Sequence, residues 1–287
     1  MIVSIFYNQE QWHELLAKVI NPFMETERDK LTYWHISFDT NRGEHITVAL
    51  DAENRNAEVI KNEFLTQVGS YLSNSPSAIK EINYPLDGIF MDYPNNSIEL
   101  DIDTPINLAD KSTIAVRRQF SEILLEAGSS RVMDMESIFT FIIYLQLGII
   151  KAGHSNSKRA RMASLKLLLF LNTNEGGAVD ANITEAYNDI PFIQIFEGNR
   201  DLIAEIVEDI WSGREQDADL KWMENWELIC REFIAGKEFH EAFVLLSRIC
   251  YEHLGLYGGN TQNIASRQLL KIFNQAIKRM NSIIRIA

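Results

Sequence analysis

With 287 residues, 46% of them hydrophobic and 23% charged, the chain has the length and apolar content for one large domain or two intimate ones around an ample core. Its formal net charge of −13 argues against general nucleic-acid binding, which needs lysine and arginine clustered on phosphates, and two cysteines are too few for a disulfide framework. No apolar run reaches the roughly 18 residues of a membrane span, and the opening MIVSIFYNQEQW lacks the basic and apolar regions of a secretory signal, so a cytoplasmic protein without membrane contact is expected.

Residues 1–7 alternate as a first strand, and 9–20 carry Trp12, Leu15, Leu16, Val19 and Ile20 at helical spacing until Asn21-Pro22, where the helix is expected to end. Residues 31–50, LTYWHISFDTNRGEHITVAL, read as a β-hairpin: both arms are rich in aromatic and β-branched residues, and a short polar loop with Gly43 lies between them. Pairing Ile36 with Ile46 puts Trp34, Ile36, Phe38, Ile46, Val48 and Leu50 on one face, because side chains alternate across a strand. The other face then carries Tyr33, His35, Ser37, His45, Thr47 and Ala49, with His45 opposite Ser37 and His35 opposite Thr47. That surface is either the wet side of an antiparallel sheet or the floor of a pocket covered by helices.

A second helix is expected over 56–72, with Val59, Ile60, Phe64, Leu65 and Val68 on one side and Ser73-Asn74-Ser75-Pro76-Ser77 as its breaker; short strands follow near 89–92 and 98–102. The order strand, helix, strand, strand, helix, strand is the ferredoxin-like pattern. From Lys111 onward the pattern is helical, over 112–127, 134–152, 158–172, 200–212, 218–235, 238–254 and 264–285, while 173–199 reads as a long irregular loop. The fold class expected is therefore α+β: a ferredoxin-like antiparallel sheet with helices in 1–110 and an all-helical half, 111–287, packed on it as one integrated domain.

No P-loop, dinucleotide fingerprint, GxSxG elbow or HExxH occurs in the sequence. The six histidines stand at 13, 35, 45, 154, 240 and 253; only His35 and His45 are brought together by a local argument, no third ligand follows, and no metal is expected. Cys230 and Cys250 lie within helical patterns and read as buried free thiols. The basic cluster Lys158, Arg159 and Arg161 and the basic tail with Lys271, Lys278, Arg279 and Arg285 are solvated helix faces or anchors for an acidic peptide. A second concentration of chemistry, Cys250-Tyr251-Glu252-His253-Leu254-Gly255-Leu256-Tyr257-Gly258-Gly259-Asn260, reads as a helix C-terminus capped by glycine, with a histidine favoured by the helix dipole.

The hairpin and this late segment together resemble the thiopeptide-type bacteriocin biosynthesis family, related to the C-terminal elimination domain of lantibiotic dehydratases. In that family an early strand pair reads aromatic, Ile, Arg, Tyr, x, Asp and then His-Leu-Arg-Leu-Arg. A late segment has His-Met followed by Asn-Arg before a final helix. Ile36-Ser37-Phe38-Asp39 and His45-Ile46-Thr47-Val48-Ala49 fall at the first motif, and Glu252-His253-Leu254 falls near the second. The resemblance covers nearly the whole chain. The arginines of the elimination enzymes fall on Ser37, Thr47 and Ala49, which points to the branch that lacks them, the pyridine synthases.

Those enzymes join two dehydroalanines in a formal aza-[4+2] cycloaddition and then release water and the leader peptide. The resemblance thus implies macrocyclisation of a ribosomally made precursor peptide, bound through leader and modified core, with no cofactor and with other biosynthetic enzymes as further partners. Residues of the right kind for the proton transfers are Tyr33, His35, Ser37, His45 and His253; Thr47, Arg117, Arg118, Tyr251 and Tyr257 are the candidates for holding substrate. Two other readings stand beside this one. They are a non-catalytic precursor-peptide scaffold of the same fold and a glutamate eliminase whose cations come from Arg117 and Arg118.

Overall fold

The structure, a computed structural model, describes residues 1–39, 42–78, 93–101, 111–153 and 221–255. The expected strand at 89–92, the helices at 158–172, 200–212 and 264–285, the loop at 173–199 and Tyr257 lie outside them.

Four strands, β1 (Ile2–Phe6), β2 (Leu31–Asp39), β3 (His45–Ala52) and β4 (Ser97–Asp101), form one antiparallel sheet in the order β2-β3-β1-β4. With β1 between β3 and β4 this is the ferredoxin-like arrangement, and the protein is α+β. The two faces are chemically distinct because the alternation holds in every strand. On one, Val3, Ile5, Trp34, Ile36, Phe38, Ile46, Val48 and Leu50 are all buried. On the other, Ser4, Ser37 and Thr47 form a hydroxyl rung across β1, β2 and β3 that is only half-buried.

The hairpin keeps the expected faces but not the expected partners. Ile36 pairs with Val48, Ser37 with Thr47, His35 with Ala49 and Asp39 with His45, a shift of two residues from the pairing of Ile36 with Ile46. A shift by two leaves every side chain on its face, whereas a shift by one would invert them. The reason lies at Glu44, which β1 draws out of the ladder: Tyr7 N–H donates to its carbonyl at 3.1 Å and Gln9 N–H to its carboxylate at 2.7 Å. In the turn that leads into β3, Arg42 and Gly43 stand at positive φ of 61° and 116°.

After β1 the helical stretch does not end at Pro22. It runs through α1 (Trp12–Leu15), a π turn at Leu16–Ile20 and α2 (Asn21–Glu27). Proline lacks an N–H and crowds the carbonyl four residues back. Here it stands in the first turn of α2, where no N–H is needed, directly after the wider π turn. The apolar side of this stretch covers the sheet. Trp12 stacks on Phe38 with ring centroids 4.9 Å apart, and its indole N–H donates to the Tyr7 carbonyl.

Helix α3 (Asn54–Asn74) buries Ile60, Phe64, Val68 and Leu72, a stripe four residues apart, and Phe64 meets Phe23 at 4.8 Å. Val59, expected on that side, is 65% exposed. Each large side chain fully buried in this way contributes about 1.5–3 kcal/mol. Helix α4 (Lys111–Ser130) lies against β2 and the first helical stretch, and at Gly128 its backbone comes close enough to the Leu16 side chain that a Cβ there would sit 2.7 Å from it.

The helices that follow among the described residues are α5 (Met135–Gly153), α6 (Lys221–Ile234) and α7 (Phe239–His253). The chain divides into two compact units, 1–138 with 249–263, and 139–248 with 264–287. The described core of the second unit is built on α6 tryptophans. Trp222 packs on Phe141 at 4.5 Å, and Trp226 donates from its indole to the Leu145 carbonyl while filling the space beside Gly148. Cys230 and Cys250 are buried free thiols, and burial raises the Cys250 pKa, so its thiolate is disfavoured. No helix among the described residues is long and apolar enough to cross a membrane.

Candidate functional site

The site lies within the first unit, where the C-terminal end of α7 and α4 meet the outer edge of β2. An edge strand presents unpaired backbone groups. At Ile36 both are taken by side chains: its N–H donates to Ser121 Oγ at 2.9 Å, and its carbonyl accepts from His253 Nδ1 at 2.7 Å. Ser121 stands one turn after Arg117 on α4, and its hydroxyl donates to the Arg117 carbonyl at 2.8 Å. Two residues past His253 the chain turns at Gly255, with φ +70°. A Cβ at that position would lie 2.5 Å from the Phe38 carbonyl oxygen, so only glycine lets the segment run this close to β2.

The hydrogen bond to Ile36 fixes the chemistry of His253. A carbonyl only accepts, so Nδ1 carries the hydrogen and, in the neutral ring, Nε2 keeps its lone pair. Arg117 Nη1 donates to that Nε2 at 3.4 Å, and the other guanidinium nitrogen is bound to the Glu252 carboxylate. The His253 ring also lies edge-on to Phe120 at 5.2 Å and beside His35 at 5.3 Å, and His35 in turn is 5.4 Å from Tyr33. Nδ1 of His35 is buried and has no hydrogen-bond partner among the described residues.

Burial dominates the titration of this group. It holds His253 well below the ordinary histidine range, with His35 and the Arg117 charge acting in the same sense and the bond to Ile36 opposing. It brings His35 down to about 4, again aided by Arg117 and opposed by Glu252, and pushes Tyr33 up to about 12, where Arg117 opposes and Glu252 assists. At neutral pH the cluster thus offers two neutral imidazoles and a protonated phenol beside a fixed cation.

The unfolded chain binds a proton on each imidazole below about 6.5, while the folded protein refuses one on His35 until about 4. Stability is therefore complete above pH 6.5 and is lost as the pH falls toward 4, by about 3 kcal/mol for His35 alone. Urea unfolding at pH 7 and pH 4.5 checks this; equal midpoints would contradict a buried neutral His35.

The other end of the polar face is different. His45 lies opposite Asp39, two rungs beyond the His35–Ala49 pair and roughly 13 Å along the strands at 3.3 Å per residue. Its Nδ1 donates to the Gly43 carbonyl at 2.8 Å, and its ring packs on Phe6 at 4.6 Å. Phe6 in turn meets Tyr93 at 4.7 Å, and the Arg42 guanidinium lies 4.2 Å above the Tyr93 ring.

Of the residues singled out in the sequence, Tyr33, His35, Arg117 and His253 come together; Ser37 and Thr47 form the middle rung; and His45 sits at the far end. Tyr251 is buried and Arg118, next on the helix, points into solvent. Sequence reasoning passed over Ser121 and Phe120, and it noted Glu252 in the late segment without giving it a role. Their signals were faint: a serine inside an apolar helix face one turn from an arginine, and a carboxylate adjoining the histidine already noted. Among the described residues no three His, Cys, Asp or Glu side chains gather as a metal site requires.

Sheet order and the helices that follow it among the described residues define an α+β protein. The chain shares the fold of the pyridine synthase TbtD from thiomuracin biosynthesis, matching over 100% of its own length and 99% of that chain with a TM-score of 0.64 and 15% identity. It also matches TsrL over 99% of its length and 97% of that chain, with a TM-score of 0.54 and 13% identity. No protein-family model and no curated protein matches the sequence.

Proposed function

We propose that the chain is a thiopeptide maturation enzyme, a pyridine synthase that closes a macrocycle by joining two dehydroalanines of a precursor peptide. The observation that carries this reading is the end-to-end likeness in fold to TbtD, a protein described as a pyridine synthase. In the reaction one dehydroalanine, with its preceding amide in the imidic acid form, serves as a 2-azadiene. The second adds across it with two new carbon–carbon bonds; loss of water and then of the leader as its amide gives the pyridine, with no net redox change.

Such a reaction asks the protein to align two alkenes and to move protons on one amide and one leaving hydroxyl. His35, partly exposed and with a neutral ring, is the imidazole available to the amide. Tyr33, kept protonated, is the donor beside it, and Arg117 opposes build-up of positive charge on either imidazole. Ser37 and Thr47 supply hydrogen bonds along the floor, with Tyr251 behind the late segment and His45 holding the hairpin tip. A glutamate-elimination role fits less well, because positions 37, 47 and 49 of the same face offer no cation.

Mass spectrometry tests the proposal, after incubation of the protein with a leader-bearing peptide that carries azoles and two dehydroalanines. The expected product has lost leader and water. An unchanged mass with tight binding would turn the protein into a scaffold for the precursor, and conversion only of a glutamylated peptide would make it an eliminase.

A further inference from the structure

The position of Arg117 decides what both imidazoles can do, and it is held from outside its own helix. Its side chain is 24% exposed, so a free arginine would turn its head to water. It is instead bound by Glu252, itself 23% exposed, from the last turn of α7. Glu252 immediately precedes His253, whose Nδ1–H is anchored on Ile36. The carboxylate and the imidazole therefore reach the same guanidinium from one rigid turn, one taking a hydrogen bond on each side.

We infer that Glu252 is a positioning residue of this site: it fastens Arg117 against Nε2 of His253, so that His253 is fully committed and His35 is the imidazole left for an amide of the substrate. The role rests on the reading of the site proposed above, but its physical part does not need a substrate to be seen. Among the described residues, Tyr33 and His35 from β2, Arg117 from α4, and Glu252 and His253 from α7 face one another in the cluster.

Positioning and mere charge predict opposite signs. If Glu252 acts only as a nearby negative charge, replacing it by glutamine makes His35 harder to protonate, because the carboxylate favours the imidazolium. If it holds Arg117 in place, the same change releases the guanidinium and both imidazoles become easier to protonate.

The experiment is an NMR titration of ¹⁵N-histidine-labelled full-length protein, as wild type and as Glu252→Gln, Glu252→Asp and Arg117→Gln, with circular dichroism to confirm folding. The expected result is an upward shift of the His35 and His253 titrations in Glu252→Gln, in the same direction as in Arg117→Gln but smaller for His35 because the carboxylate is lost as well, and near-wild-type behaviour in Glu252→Asp, which keeps the carboxylate. On the bis-dehydroalanine peptide Glu252→Gln should lower kcat about tenfold with KM changed by less than about threefold, the mark of lost orientation. A downward shift or none overturns the positioning role whatever the activity. An upward shift in a protein whose wild type leaves that peptide unchanged overturns the proposed reaction and leaves the role of Glu252 standing.

Discussion

Replacing His35 by phenylalanine is expected to slow the proposed ring formation by about 10²–10³-fold, within the range a positioned acid or base contributes, while leaving the protein as stable as before at neutral pH or more so. Most buried histidines repay their desolvation with hydrogen bonds. His35 does not at Nδ1, which has no partner among the described residues. Removing an unsatisfied buried polar atom in favour of an apolar ring of similar size costs little and relieves a penalty of about 1–3 kcal/mol.

Loss of activity with retained stability is the signature of a group kept for its chemistry. The variant should also unfold less readily between pH 6.5 and 4, since the depressed titration that destabilises the acid form is gone. Turnover at the wild-type rate would remove His35 from the reaction. A large fall in the melting temperature at pH 7 would show that the imidazole holds the fold.

The second large effect is expected at Gly255. Replacing it by alanine meets two obstacles: a positive φ of 70°, costing about 1–2 kcal/mol for an L side chain, and a methyl group 2.5 Å from the Phe38 carbonyl oxygen. Gly236 is the internal control, because its φ of +78° is similar while no atom lies within 4 Å of an added Cβ. Denaturant unfolding should show Gly236→Ala losing about 1 kcal/mol and Gly255→Ala about 2–4 kcal/mol. The excess measures the close approach to β2. Because that approach seats His253 on Ile36, Gly255→Ala should also lose activity and Gly236→Ala should keep it. Equal losses of stability in the two variants would mean that the segment yields without strain.

The faces of the sheet were legible in the sequence because a period of two survives any even slip of register; the partners were not, because they depend on which residue leaves the hairpin. Glu44 leaves it to serve the backbone of Tyr7 and Gln9, a contact across 35 or more positions that no local pattern announces. Helix α3 was legible for the same reason as the strands. Val59 was misplaced because, one position from Ile60, it lies 100° round the helix.

Pro22 was read as a stop, yet a π turn before it lets a helix begin afresh around it. Tyr33, His35 and His253 could be singled out as chemically notable residues. Their assembly with Ser121, Arg117 and Glu252 depends on how α4 and the end of α7 dock on β2, and docking leaves no trace in spacing.

Side chains close the outer edge of β2 at Ile36 where another protein would place a strand, and this would govern how the proposed peptide substrate is read. A bound peptide that extends a sheet is gripped by its main chain, which is the same in every sequence. With both polar groups of Ile36 engaged by Ser121 and His253, that mode of entry is shut at the point nearest the histidines. A guest must present itself to side chains instead. What it is made of, rather than merely how extended it is, then determines whether it is accepted.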